Sequence, residues 1–304
     1  MLNKIGNFLR KRTTTYIIML MPAVIILFIY AYIPLGGLAI AFQKFIPAKG
    51  LFGKQQWVGV DNFKYLFSMP NSMQVIRNTF IISFLKLITI AIFPVVLAVL
   101  INEVKLTSLK KLIQTSVYMP HFISWVIISA ILVDILSPST GIINKLLSAF
   151  GVESIFFLGN NKWFVPTLVV SELWKECGFS SVVYLAAITG INHELYESAT
   201  VDGANRWKQA IYITIPCISG TIVLMTFLKL GNILDAGFEQ VFNLYNSQVY
   251  ETGDILDTFI YRIGIVNFQY SLAAAAGFFK SVVSLFFVSV SYWAAYKFAD
   301  YKIF

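Results

Sequence analysis

Cysteine is nearly missing from this chain. Cys177 and Cys217 stand alone in apolar surroundings, so neither a disulfide framework nor a cysteine-based zinc site can be built, and both read as packing residues. Charge is scarce as well: 12% of the 304 residues are charged, against about a quarter in ordinary soluble domains. The histidines, His121 and His193, lie far apart with no metal-ligand spacing around them. His121 reads as a helix-packed polar group satisfied by a neighbour. A Gly-x-x-x-x-Gly-Lys-Ser/Thr phosphate loop does not occur, since the stretch from Gly50 to Lys54 has neither the spacing nor the hydroxyl. No Ser/His/Asp arrangement is recognisable. These patterns give no support to nucleotide hydrolysis or other catalysis within the chain, and no cofactor is expected on it.

What is abundant is apolar: 58% of the residues are hydrophobic and the mean hydropathy is +0.74. About 20 mostly apolar residues carry a helix across the hydrocarbon core, and six stretches qualify, at residues 15–42, 75–101, 112–136, 163–190, 216–236 and 271–296. Backbone groups in lipid must be satisfied within the segment, which dictates helices. The expected fold is therefore an all-α membrane protein with six transmembrane helices, residues 15–304 forming one membrane domain behind a cytoplasmic segment 1–14. The stretch from Tyr16 is too long for the apolar part of an export signal and no small-residue cleavage site follows, so it reads as a retained first span. Pro22, Pro34, Pro94, Pro120 and Pro166 are expected to mark kinks or helix ends.

Lysine and arginine set the orientation. With the N-terminus inside, Lys4, Arg10, Lys11, Arg12, Lys105, Lys110, Lys111, Arg206, Lys208, Lys297 and Lys302 crowd short cytoplasmic segments. The outer basic residues are diluted over longer loops at 43–74, 137–162 and 237–270, so both termini are expected inside. The first outer loop, with Trp57, Phe63, Tyr65 and Phe67, is expected to form a small packed cap. The third is acidic, with Glu239, Glu251, Asp254 and Asp257 against Arg262. The net charge of +8 is scattered along hydrophobic segments, so lipid is the expected surrounding and nucleic acid is not an expected partner.

The segment 191–215 has a different character. Asn192 is a suitable N-cap and Glu194 complements the first turn of a short helix. Gly203 can end that helix in a left-handed conformation. Trp207, Ala210, Ile211 and Thr214 then recur at helical spacing, giving a second amphipathic helix ahead of Pro216. A helix, turn and helix at the membrane surface can act as a rigid lever, or simply lie on lipid.

The residue order decides between these. Glu197 Ser198 Ala199, then Asp202 Gly203 Ala204, then Ile213 Thr214 Ile215 Pro216 resembles the EAA loop of binding-protein-dependent ABC importer permeases, with Ser198 in place of the first Ala and Ile215 in place of Leu. Trp57 Val58 Gly59 Val60 Asp61 Asn62 Phe63 resembles the first outer loop of carbohydrate permeases. Trp174 Lys175, Tyr184 Leu185 Ala186 Ala187, Gly237 Phe238 Glu239 Gln240 and the run from Val249 to Thr258 are similar to the LplB-type branch, which is associated with oligosaccharides from polysaccharides, some of them acidic. The resemblance implies a type I ABC importer permease fold in a bacterial cytoplasmic membrane, with a cytoplasmic coupling helix whose Glu197, Ala199, Asp202 and Gly203 dock on an ATPase. It implies two separate ATP-binding subunits holding ATP and Mg, a second permease that is a distinct paralogue, an extracytoplasmic sugar-binding protein and an oligosaccharide substrate. An intramembrane enzyme or a secondary transporter would not account for the EAA-like loop, and no repeat of the transporter type is visible.

Within that reading the substrate path is expected to be lined by Lys86, Lys175, Lys229 and Lys280, with Trp125, Trp174 and Tyr184 available to stack on sugar rings. Tyr292 and Trp293 are further candidates, although aromatic residues near span ends are commonly interfacial anchors. Lysines inside spans are costly unless paired or facing water. Pairing with Glu172, Glu176 or Asp235 would neutralise two of the four. The rest would favour a uronate-containing sugar over a neutral one. Lys175 with Trp174 is the leading pair.

Overall fold

The computed structural model describes residues 12–51 and 53–299. Lys4, Arg10, Lys11 and Lys302, and with them most of the segment 1–14, lie outside the described residues. The chain divides into two compact units, residues 1–66 with 263–278 and residues 67–262 with 279–304.

In the first unit, helix α1 (Arg12–Leu27) runs through a π turn (Phe28–Tyr32) into a 3-10 stretch (Ile33–Phe42). Together they form an apolar rod, Thr15–Phe42, whose most apolar window is buried nowhere. Strands β1 (Gln43–Lys44) and β2 (Gln56–Trp57) then pair antiparallel, Gln43 opposite Trp57. Asn62 Nδ2 donates to the carbonyls of Ala41 (2.8 Å) and Gln43 (3.0 Å), tying the start of helix α2 (Asp61–Ser68) to this hairpin. Phe63 packs between Phe42 and Phe278, with ring centroids 5.2 and 5.8 Å away. Trp57 and Tyr65 face outward, 65% and 59% exposed, so the cap is packed around Phe63 and not around all four aromatics. Tyr65 lies two residues from Phe63 on one helix, which turns it to the opposite side.

The second unit is built on α3 (Ser72–Glu103) and α7 (Asn161–Thr189). On α3 the buried residues Val75, Thr79, Ile82, Lys86, Ile90, Pro94, Ala98 and Ile101 recur every three or four positions, and on α7 Phe164, Leu168, Ser171, Lys175, Gly178, Ser181, Leu185 and Ile188 do the same. These two stripes face each other. Pro94 and Pro166 sit inside their helices without breaking them.

The third expected span is not one helix. Helix α4 (Thr107–Tyr118) ends in a 3-10 turn (Met119–Phe122), and α5 (Trp125–Ile135) leaves at 102°. Pro120 tightens the end, and the Ser124 hydroxyl accepts from the Ile127 N–H to start α5 afresh. After α6 (Ile142–Ala149), α7 and α8 (Glu194–Val201) comes α9 (Arg206–Gln209), prolonged to Cys217, which meets α10 (Ser219–Leu230) at 60°. Among the described residues, three helices are long and apolar enough to cross a membrane, and the two bent pairs raise this to five. The remaining expected span is α7, 29 residues long, in which Glu172, Lys175 and Glu176 interrupt the apolar run.

The acidic segment is folded inward as α11 (Phe238–Leu244), α12 (Tyr250–Gly253) and α13 (Leu256–Tyr261) before the last helix, α14 (Tyr270–Ala299). Val241, Leu244, Val249 and Ile255 share one core cluster with Ile82, Phe164 and Leu168. Asp254, nearly buried, takes both Arg262 guanidinium nitrogens and the Thr258 hydroxyl. Burial works against the Arg262 charge, but the hydrogen bonds and charge of Asp254 outweigh it and hold the guanidinium above its ordinary value. Cys177 is half-buried, whereas Cys217, expected to be a packing residue, is exposed.

Gly178 sets the approach of α4 to α7: a Cβ there would fall 1.9 Å from the Val117 carbonyl oxygen. Close helix contact in membranes relies on such small residues. Gly178→Leu should displace α4 and destabilise the protein by about 1–3 kcal/mol or more, read as a lower melting temperature in detergent, while Gly220→Leu, where nothing lies within 4 Å, should have far less effect.

Candidate functional site

The four span lysines have different fates. Lys86, 7% exposed, extends from α3 toward α7 and α11. Its ammonium donates to the Ala236 carbonyl (2.7 Å), to the Gln240 Oε1 and to Glu172 (3.3 Å). Gln240 is fully buried, and its Nε2 donates to the Leu168 carbonyl and the Ser171 hydroxyl, both at 2.8 Å. A span lysine costs about 3 kcal/mol on insertion scales, and this shell of acceptors offsets that cost.

Lys175, 6% exposed, closes the break between α4 and α5. Its ammonium donates to the His121 carbonyl (2.7 Å), pairs with Glu176 (3.4 Å) and lies 5.7 Å from the Trp125 ring. Glu176 also meets His121 Nδ1 at 2.9 Å, and the imidazole stacks on Phe179 at 4.0 Å. A cation at a helix C-terminus complements the exposed carbonyls there. The Trp174–Lys175 pair is not formed. Trp174 is 52% exposed and lines an apolar groove of about 600 Å³ with Trp163, Ile131 and Val170. Neighbours in a helix do not share a face.

Lys280 pairs with Asp257 of the acidic segment. Three of the four lysines are thus neutralised, by Glu172, Glu176 and Asp257, where two were expected to be. Glu172 serves Lys86 and not its neighbour Lys175. Lys229, near the end of α10, is exposed, and among the described residues it has no hydrogen bond or ion pair. It lines a cavity of about 230 Å³ with Ser83, Lys86, Glu172, Asn232 and Asp235, and a small adjoining one with Tyr184 and Thr226. Tyr184 itself is buried, packed with Val95, Ala98 and Ile188, which leaves its ring little face for a sugar. The structure therefore gathers Lys86, Lys229 and Tyr184 in one place, sets Lys175 with Trp125 in another, and leaves Trp174 and Lys280 apart from both.

The segment 191–215 forms a rigid outcrop. The Asn192 side chain accepts from the Glu194 N–H at 3.1 Å, and α8 ends with the Ala204 N–H on the Ala199 carbonyl (2.8 Å) and the Gly203 N–H on the Thr200 carbonyl (3.1 Å). This double bond pattern needs a left-handed residue, and Gly203 supplies it at φ +78°. The Tyr196 hydroxyl meets that of Thr214 (2.9 Å) and Gln209 donates to Thr200 (2.9 Å), stitching α8 to the helix that follows. Arg206 reaches Glu103 at the end of α3. Glu197, Asp202 and Gly203 are exposed and Ala199 half-buried. The expected amphipathic face of the second helix is split: Ala210 and Thr214 are buried, whereas Trp207 and Ile211 point outward. A π turn at Ala210–Thr214 interrupts the regular helical spacing on which that face was read.

Comparison with known proteins adds the decisive observation. The sequence profile of the family described as "Binding-protein-dependent transport system inner membrane component" matches residues 90–299. The chain belongs to this family. The polygalacturonan/rhamnogalacturonan transport system permease protein YteP of Bacillus subtilis (strain 168) is 39% identical over 94% of this chain and 89% of its own length. Protein LplB of the same organism is 38% identical over 97% and 92%. Among solved structures, a permease chain of a bacterial alginate ABC transporter, crystallised with an alginate pentasaccharide-bound periplasmic protein, superposes with a TM-score of 0.88 at 41% identity, covering 96% of this chain and 97% of that one.

The chain is thus a helical, multi-pass inner-membrane permease, a transport subunit and not an enzyme. Two residues that organise its interior carried no separate mark in the sequence. Gln240 sat within the Gly237 Phe238 Glu239 Gln240 motif with no role attached to it, and Asp257 was one of four acids counted only for their charge. An intramembrane lysine requires acceptors, and searching the outer segment for them would have pointed to both residues. Gln240→Leu should leave the Leu168 carbonyl and the Lys86 ammonium short of a partner and destabilise the permease by about 1–3 kcal/mol. A melting curve of the purified permease checks this.

Proposed function

We infer that the permease forms one half of the pore of an ATP-driven importer for uronate-containing oligosaccharides. The observation that supports this most directly is its similarity, along nearly its full length, to permeases whose names record polygalacturonan and alginate, both polyuronates. Its other partners in this reading are a second, distinct permease, two ATP-binding subunits that hold ATP and magnesium, and an extracytoplasmic sugar-binding protein. Both termini and the segment 191–215 lie on the cytoplasmic side, and the hairpin at Gln43–Trp57 lies outside.

Coupling runs through α8. Glu197 and Asp202 offer negative charge on an exposed helix, Ala199 lets a partner surface approach closely, and Gly203 fixes the turn. Because hydrogen bonds join α8 to the helix after it, movement of a gripping ATPase is passed on to the spans. Importing the anion calls for a cation with free donors along the path, and Lys229, unpaired among the described residues, supplies one at the cavity it shares with Asp235.

Two measurements on the reconstituted complex test this reading. Gly203→Val or Glu197→Lys should abolish stimulation of ATP hydrolysis by sugar-loaded binding protein while the complex still assembles. Unchanged stimulation would remove the coupling assignment. Uptake of oligogalacturonate should exceed that of a neutral oligosaccharide of equal length, and uptake of neutral sugars alone would remove the acidic substrate.

A further inference from the structure

Lys229 stands out because the protein treats it differently from its counterparts. Lys86, Lys175 and Lys280 each have a carboxylate of this chain within 4.0 Å. Lys229 has none among the described residues, yet it lies in the apolar helix α10 and faces the cavity at the end of that helix. The turn from Gly231 to Gly237 brings further polar groups to the same place. Asn232 is exposed at the cavity, and among the described residues its carboxamide makes no hydrogen bond. Asp235 accepts from the Gly237 N–H at 3.2 Å and keeps acceptor capacity to spare. Leu87, Ile90 and Ile233 supply apolar wall between these groups.

We propose that this cavity is a subsite for a single hexuronate ring, with Lys229 and Asn232 holding the sugar carboxylate. The inference rests on the reading of the permease as an importer of acidic oligosaccharides and names the residues that select the acid. An ammonium and a carboxamide N–H donate to a carboxylate, a charge-assisted arrangement stronger than a neutral hydrogen bond. Asp235 accepts from ring hydroxyls, and the aliphatic wall covers the C–H face of the ring. The volume of about 230 Å³ is enough to hold one sugar ring. Lys86 does not take the carboxylate, because Glu172, Gln240 and the Ala236 carbonyl already occupy its donors. It supports the site by neutralising Glu172, which would otherwise repel the anion. The other source of a carboxylate is an acidic residue of the second permease meeting Lys229 across their interface, and the experiment separates the two.

The complete complex is reconstituted in proteoliposomes, and uptake of a galacturonate oligomer and of its methyl ester is measured over a range of concentrations. Lys229→Met should lower uptake efficiency for the acid by about tenfold or more and that for the ester by less than about twofold. Lys229→Arg should retain most uptake of the acid, and Asn232→Ala should show a smaller loss with the same preference. Where the wild type imports the acid alone, the order Arg above Met above Glu at position 229 carries the test, since Lys229→Glu adds repulsion. Equal losses for acid and ester, no loss at all, or equal losses for Met and Glu would overturn the subsite. So would dissociation of the second permease from Lys229→Met on co-purification, which assigns the lysine to the subunit interface. A wild type that imports the ester and not the acid defeats the acidic-substrate reading itself. A wild type that imports the acid beside an indifferent Lys229→Met defeats only the subsite.

Discussion

An ammonium group inside a membrane bundle needs compensation, and the requirement at Lys86 shapes the centre of the second unit. No single neighbour satisfies it. Glu172 comes from α7, the Gln240 oxygen from α11 and the Ala236 carbonyl from the turn before it. Satisfying one lysine on α3 therefore requires that α7 pack beside it and that the chain after α10 fold back into the core. Gln240 carries the linkage further, since its other end donates to α7. The apolar cluster of Ile82, Phe164, Leu168, Val241 and Ile255 packs around this polar centre. Burying a polar network of this kind is tolerated when each member is satisfied, and it then favours one arrangement of the helices over others.

Lys175 uses the same chemistry for another purpose. Its acceptors include the carbonyl of His121 at a helix end, so it stabilises the sharp break between α4 and α5, where a continuous span would have no free carbonyl to offer. Broken helices recur in transporters where backbone groups line a path. The structure thus separates charges that hold the scaffold from one that stays available. Lys86, Lys175 and Lys280 are engaged, and Lys229 remains open toward a cavity. What sets Lys229 apart from the other three is its unused hydrogen-bonding capacity among the described residues, a property that the sequence around it does not display.

The helices of this permease were legible in its sequence because hydropathy reports directly on segments that must satisfy their own backbone in lipid. The turn of the segment 191–215 was legible too, since Asn192 and Gly203 act within a few residues of themselves. Two kinds of feature were not. The break at Ile123 and Ser124 lies inside a stretch whose average hydropathy is that of a span, so the average passes over it, and Pro120 was the one residue expected to mark a kink or helix end there. Pairings between distant segments, such as Lys86 with Glu172 or Lys280 with Asp257, depend on which helix faces move together. Proximity in sequence pointed instead to Glu172 beside Lys175. The π turn at Ala210–Thr214 is a local change of helical phase that leaves no compositional trace.

The stitched turn at Gly203 has a thermodynamic consequence. A flexible loop loses conformational entropy when a partner orders it, and that loss weakens binding. The outcrop of α8 is already held by its own capping bonds and by the Tyr196–Thr214 and Gln209–Thr200 contacts, so a partner docking there would meet it preorganised. The free energy of such docking would then remain available as a difference in affinity between two arrangements of the spans, and only such a difference can shift one toward the other.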